Sequence, residues 1–66
     1  MYQTHIFGRK AETLKCFRTL KEVHAYLVEE HDTKTTYGDL LKAMRLHENN
    51  CALYQDFVII CIEKVY

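Results

Sequence analysis

The sequence predicts a two-layer α+β domain, a small antiparallel β-sheet with a helical hairpin on one face, in the order β-β-α-α-(β)-β over residues 1–66. Three observations carry this prediction. The stretch from Asp56 to Tyr66 is apolar and β-branched at Val58, Ile59, Ile60 and Ile62. It is far too short to span a bilayer as a helix and has the length and branching of a strand. Two stretches in the middle of the chain repeat apolar residues at helical spacing, each behind a threonine suited to cap it. Two short alternating runs near the N-terminus read as a hairpin.

The elements follow in order. Tyr2-Gln3-Thr4-His5-Ile6-Phe7 is rich in strand formers, with Tyr2, Thr4 and Ile6 on one face and Gln3, His5 and Phe7 on the other. Gly8 ends it, and residues 8–12 are polar and turn-like, with the basic pair Arg9-Lys10 near the tip. From Thr13 to Arg18 the chain alternates again, Leu14 and Cys16 opposing Thr13, Lys15 and Phe17. An alternative reading starts the first helix near Ala11, where no good cap precedes it. Thr19-Leu20-Lys21-Glu22 fits a capping box: the Thr19 hydroxyl accepts from the Glu22 N–H while Glu22 reaches back to the N–H of Thr19. Behind it Leu20, Val23, His24, Leu27 and His31 share a helical face, widened by Ala25, Tyr26 and Val28. Glu29, Glu30 and Asp32 carry the wrong sign for a helix C-terminus and limit the helix there.

A polar connection, residues 32–35, leads to Thr36 as the second cap, with Asp39 in the first turn. Tyr37, Leu40, Leu41 and Met44 follow the helical template, Arg45 and His47 suit the last turn, and Asn49-Asn50 is a natural stop. Cys51 to Tyr54 is a candidate short strand, turned by Gln55-Asp56 into the last one. The expected core is Ile6, Leu14, Leu20, Val23, Leu27, Tyr37, Leu40, Leu41, Met44, Val58, Ile60 and Ile62. Alternation sets these last three against Phe57, Ile59 and Cys61 on the other face of the final strand, and the alternative is the reversed phase, in which that second set takes the core positions. A strand apolar on both faces needs cover on both, and 66 residues cover one face with helices but scarcely two.

Formal net charge is zero, which removes the long-range attraction on which nucleic-acid binders rely. The charge is nonetheless uneven. Arg9, Lys10, Lys15, Arg18 and Lys21 crowd the first third, and acidic residues dominate the rest. With 48% hydrophobic residues, no proline and two glycines, the chain is not a disordered one. The N-terminus reads as a strand rather than a basic-plus-apolar leader, so a cytoplasmic location with three free thiols, Cys16, Cys51 and Cys61, is expected.

No named chemistry emerges. His5, His24, His31 and His47 accompany the cysteines without C-x-x-C or H-x-x-x-H spacing, so no metal site and no cofactor are expected; surface histidines and buried thiols are the plain alternative. The chain has no serine, Cys61 lies within an apolar run where burial makes a thiol inert, and no glycine-rich phosphate loop exists, so an enzyme is not expected.

What remains is interaction. Tyr2, Phe7, Phe17, Tyr54, Phe57, Ile59 and Tyr66 are the candidate protein-binding residues, exposing an apolar patch that a foreign protein or a second copy of the chain, most simply as a homodimer, would cover. The competing expectation is a small nucleic-acid-binding regulator, with the two helices arranged like a helix-turn-helix and Arg9, Lys10, Lys15, Arg18, Lys42 and Arg45 as contacts. Acidic Glu29, Glu30, Asp32 and Asp39 beside the helix link oppose that reading. No membrane partner is expected. In size and compactness the chain is similar in style to small modulator and inhibitor proteins of bacteriophages and bacteria. That resemblance covers no motif and assigns no residue.

Overall fold

Six elements follow one another in a computed structural model that describes residues 1–8, 12–55 and 58–65. They are β1 (Tyr2–Phe7), β2 (Glu12–Phe17), α1 (Leu20–His31), α2 (Tyr37–Leu46), β3 (Asn50–Gln55) and β4 (Val58–Lys64). The strands form a single antiparallel sheet in the order β2-β1-β4-β3. The chain is thus an α+β domain with two helices between two hairpins. Residues 58–64 of the apolar C-terminal run form an interior strand, paired with β1 on one side and β3 on the other. Residues 12–17 are a strand and the first helix starts only at Leu20, so the alternative start near Ala11 does not hold; Ala11 itself lies outside the described residues.

Local chemistry explains where the helices begin and end. The Thr19 hydroxyl accepts from the Glu22 N–H at 3.2 Å, as the capping box predicts. The Glu22 carboxylate, however, accepts from the Thr19 hydroxyl (3.4 Å) instead of from its backbone N–H. Thr36 caps α2 in the same way, accepting from the Asp39 N–H at 3.1 Å. Asp32 ends α1 in the left-handed conformation with φ 49°. The carbonyls freed there are met from the sheet: Gln55 Nε2 donates to the carbonyl oxygens of His31 (2.7 Å) and Asp32 (3.2 Å). His24 Nε2 bonds the Thr35 carbonyl at 2.8 Å and ties α1 to the link before α2. The chain leaves α2 through two left-handed residues, Glu48 (φ 55°) and Asn49 (φ 65°), while Asn50 already belongs to β3.

The core lies between the helices and one face of the sheet. Ile6, Cys51, Ile60 and Ile62 from the strands meet Leu20, Val23 and Leu27 of α1 and Leu40 and Met44 of α2. Each such aliphatic side chain contributes roughly 1.5–3 kcal/mol by burial. Tyr37, Leu41 and Val58 pack against this cluster while staying partly exposed. Thr4, 1% exposed, sits in the same layer because its hydroxyl donates to the Lys15 carbonyl across the β1–β2 pair at 3.2 Å.

Two core expectations need correction. Leu14 is 56% exposed and lies on the face away from the helices. Phe17, Lys15 and Thr13 stand opposite Tyr2, Thr4 and Ile6, so it is their half of β2 that faces α1. Cys61, expected to be buried and inert, is only half-buried; the buried thiol is Cys51, which donates to Met44 Sδ at 3.4 Å. Burial pushes the Cys51 thiol above its ordinary value, and Cys61 raises it further.

Candidate functional site

Residues directly opposite one another in an antiparallel sheet share a face, so the register defines what the side away from the helices presents. Three rows cross it from β2 to β3. The first is Glu12, Phe7, Ile59 and Tyr54; the second is Leu14, His5, Cys61 and Ala52; the third is Cys16, Gln3, Glu63 and Asn50. Neither described helix covers this side. Phe7 (40% exposed), Leu14 (56%), Ile59 (43%) and Tyr54 (71%) all lie on it, whereas the exposed Val28 and Leu46 belong to α1 and α2. Apolar groups therefore dominate the first two rows, beside Glu12 and His5, and polar side chains dominate the third.

Two of the β1 side chains on this face, His5 and Phe7, contact each other. The His5 ring stacks on Phe7 with centroids 4.1 Å apart, and its Nε2 is hydrogen-bonded to the Glu12 carboxylate across the strand pair. The Phe7 ring thus rests against His5 on the open face, next to Ile59, its register partner on β4. An aromatic and an aliphatic side chain side by side make a continuous apolar strip, and Tyr54 extends it to the edge strand.

Of the protein-binding candidates, Phe7, Ile59 and Tyr54 come together on this open face. Tyr2 and Phe17 do not join them. Both pack against the core on the helix side, where the Phe17 ring is 5.1 Å from that of Tyr26. Phe57 and Tyr66 lie outside the described residues. Leu14 and Ala52 were missed as members of the face. The signal that locates them is the pairing parity with His5 and Cys61, which sequence alternation on one strand cannot supply.

The basic candidates are spread over several elements. Lys15 stands over the Tyr26 ring, its Nζ 4.8 Å from the centroid. Arg18 is exposed ahead of α1, and Lys42 and Arg45 are exposed on α2. Arg9 and Lys10 lie outside the described residues. Tyr26, enclosed by Phe17 and Lys15, also bonds His31 at 3.3 Å. Burial and, to a lesser degree, the Glu30 carboxylate raise its phenol above the usual value.

Among the described residues no pocket opens, and no three His, Cys, Asp or Glu side chains converge as metal ligands. No described helix is long and apolar enough to cross a membrane. Comparison of the chain with protein-family models, with curated proteins and with solved structures gave no match.

Proposed function

We propose that this chain is a non-enzymatic protein-binding module that acts by laying its open sheet face against another protein chain, in the manner of a small modulator or inhibitor. One observation carries the reading. Phe7, Leu14, Ile59 and Tyr54 lie exposed and contiguous on the sheet side opposite the helices. Water contact at such a strip is unfavourable by about 25 cal/mol per Å² of apolar surface, so a covering chain gains that amount on docking. The polar third row, with Gln3, Glu63 and Asn50, supplies the kind of rim that borders such patches in protein interfaces. Tyr54 is the natural anchor, since tyrosine pairs a large apolar ring with a hydroxyl that can bond across an interface.

The test places a photo-reactive phenylalanine analogue at position 54, with position 21 on α1 as the control. Lys21 is exposed on the helical layer. Irradiation in the source cells is expected to give discrete adducts from position 54 and none from position 21. No adduct from position 54, or the same adducts from both positions, would overturn the reading.

A further inference from the structure

We infer that the chain covering the open face is a second copy of this protein, packed sheet on sheet about a two-fold axis that runs parallel to the strands between β1 and β4. The inference rests on the proposed role of the open face as a protein interface and names its occupant. Such an axis lays β1 over β4 of the second copy and β2 over β3 of the second copy. Each row then meets its own reverse, and the register states what is apposed. In the first row Phe7 meets Ile59 and Glu12 meets Tyr54; in the second Leu14 meets Ala52 and His5 meets Cys61; in the third Gln3 meets Glu63 and Cys16 meets Asn50.

These pairings are complementary in size and charge. A large side chain, Leu14, falls on a small one, Ala52, as interdigitating sheet layers require. An aromatic ring falls on an aliphatic side chain. Among the described residues both carboxylates on the face are matched with donors: Tyr54 offers a hydroxyl to Glu12 and Gln3 offers an amide N–H to Glu63. No carboxylate of the described residues meets another. Within the strands, an axis across them through the middle row would instead stack Ile59 on Glu63 and Phe7 on Gln3, placing a charge on the apolar strip. Aligned packing also suits antiparallel sheets, whose twist leaves mean strand directions within about 30° of one another.

The area sets the strength. Four strands about 4.8 Å apart and about 20 Å long present roughly 400 Å² of plane per copy before side-chain relief, about half the per-partner area of a standard stable interface. The dimer is therefore expected to form and dissociate with concentration rather than to be permanent.

The experiment measures absolute mass by light scattering from about 10 μM to about 1 mM, a span that brackets weak association. Isotope-filtered NMR on a mixture of labelled and unlabelled chain then reads which residues touch across copies. A concentration-dependent dimer is expected, with intermolecular contacts from Leu14 to Ala52 and from Phe7 to Ile59. Ala52→Leu overfills the Leu14 contact and Leu14→Ala empties it. Each is expected to weaken the dimer about tenfold, and the double variant, which exchanges large and small, to restore it. Both positions are exposed on edge strands of the single chain, and the amide spectrum of each variant reports whether it stays folded. A monomer throughout the range, a dimer lacking these contacts, or a double variant no better than the singles would overturn the inference. Photo-crosslinking from position 54 reads any chain on the face, whereas mass and filtered contacts read only a second copy, so the two readings fail separately.

Discussion

Ile59 and Ile60 are neighbours in β4 with the same side chain and opposite environments, and substituting each by threonine measures the sidedness of the sheet. Ile60 is 1% exposed under the helices, whereas Ile59 is 43% exposed on the open face. Threonine keeps the β-branch, so strand propensity changes little. At position 60 the exchange removes about two buried carbon groups, at about 0.8 kcal/mol each. It also places a hydroxyl among Ile6, Leu53 and Ile62, which costs a further ~1–3 kcal/mol if the hydroxyl finds no partner. The expected loss is about 3–5 kcal/mol. A domain of this length has a total stability of only about 3–10 kcal/mol, so Ile60→Thr is expected to remove from about a third to all of it. At position 59 a little over half of the transfer term applies and the hydroxyl stays hydrated, so the loss is expected below about 1 kcal/mol. Urea unfolding followed by circular dichroism in the low micromolar range compares the two without contribution from association. Equal losses, or a larger loss for Ile59→Thr, would refute the assignment of β4's faces. At higher concentration Ile59→Thr is expected to forfeit the stabilisation that association gives the wild type, since a ligand bound only by the folded state adds stability by mass action.

Thr36→Ala removes the acceptor for the Asp39 N–H and is expected to cost about 1 kcal/mol, read as a lower urea midpoint with unchanged slope. Thr33 is 7% exposed and its Oγ1 has no hydrogen-bond partner among the described residues; Thr33→Val is therefore expected to leave stability unchanged or raise it by up to about 1 kcal/mol in the same assay. Cys16, exposed, is expected to react first with a disulfide reagent, Cys61 next and Cys51 only on unfolding; in addition, Cys61 should slow as protein concentration rises, because its side chain faces the apposed copy. Because burial holds the Cys51 thiol above its ordinary value, the folded state favours the protonated form. Its contribution is complete at neutral pH and is lost as pH climbs past the ordinary thiol range toward the raised value, and Cys51→Ala is expected to flatten that alkaline decline in unfolding midpoint.

The helical layer and the strand character of the last run were readable from the sequence because each residue pattern there admits one period, whereas the face of that strand that meets the helices was not, since both of its faces are apolar. Thr19 and Thr36 mark starts by a mechanism, and Leu40 with Met44 leaves no doubt about the buried side of α2. The phase of β2 was not readable. Leu14 and Phe17 compete for the core from opposite faces of one short strand, and alternation alone gives both equal standing. The pairing of Tyr2 with Phe17 decides between them, because the α1 ring Tyr26 lies where Phe17 can pack and Lys15 can cover it. The same non-local fact moves Leu14 to the open face. Cys51 was missed in the core for a related reason: a small side chain beside Asn50 gives no local sign of burial, and only its place opposite Ile62 and below Met44 reveals it.

The open face follows from the length of the chain. A helix of 12 residues and one of 10 are about 18 Å and 15 Å long, and each is about 10 Å across. Side by side they span about 20 Å, the width of four strands at about 4.8 Å spacing. One face is therefore roofed by the helices, and every other described segment is strand or short connection. Yet the interior strand carries Ile59 and Cys61 toward the unroofed side, and β1 carries Phe7 there. A monomer under no demand from a partner would gain solubility from threonine or lysine at these positions at little cost to its core, since none of the three is buried. Phe7 is moreover fixed by the His5 stack and the His5–Glu12 bond, so its exposed orientation is held by other side chains on the same surface. A surface that retains apolar groups and also preorganises them loses less conformational entropy on docking. Stability of the single chain does not require that arrangement, and a contact made by this face would.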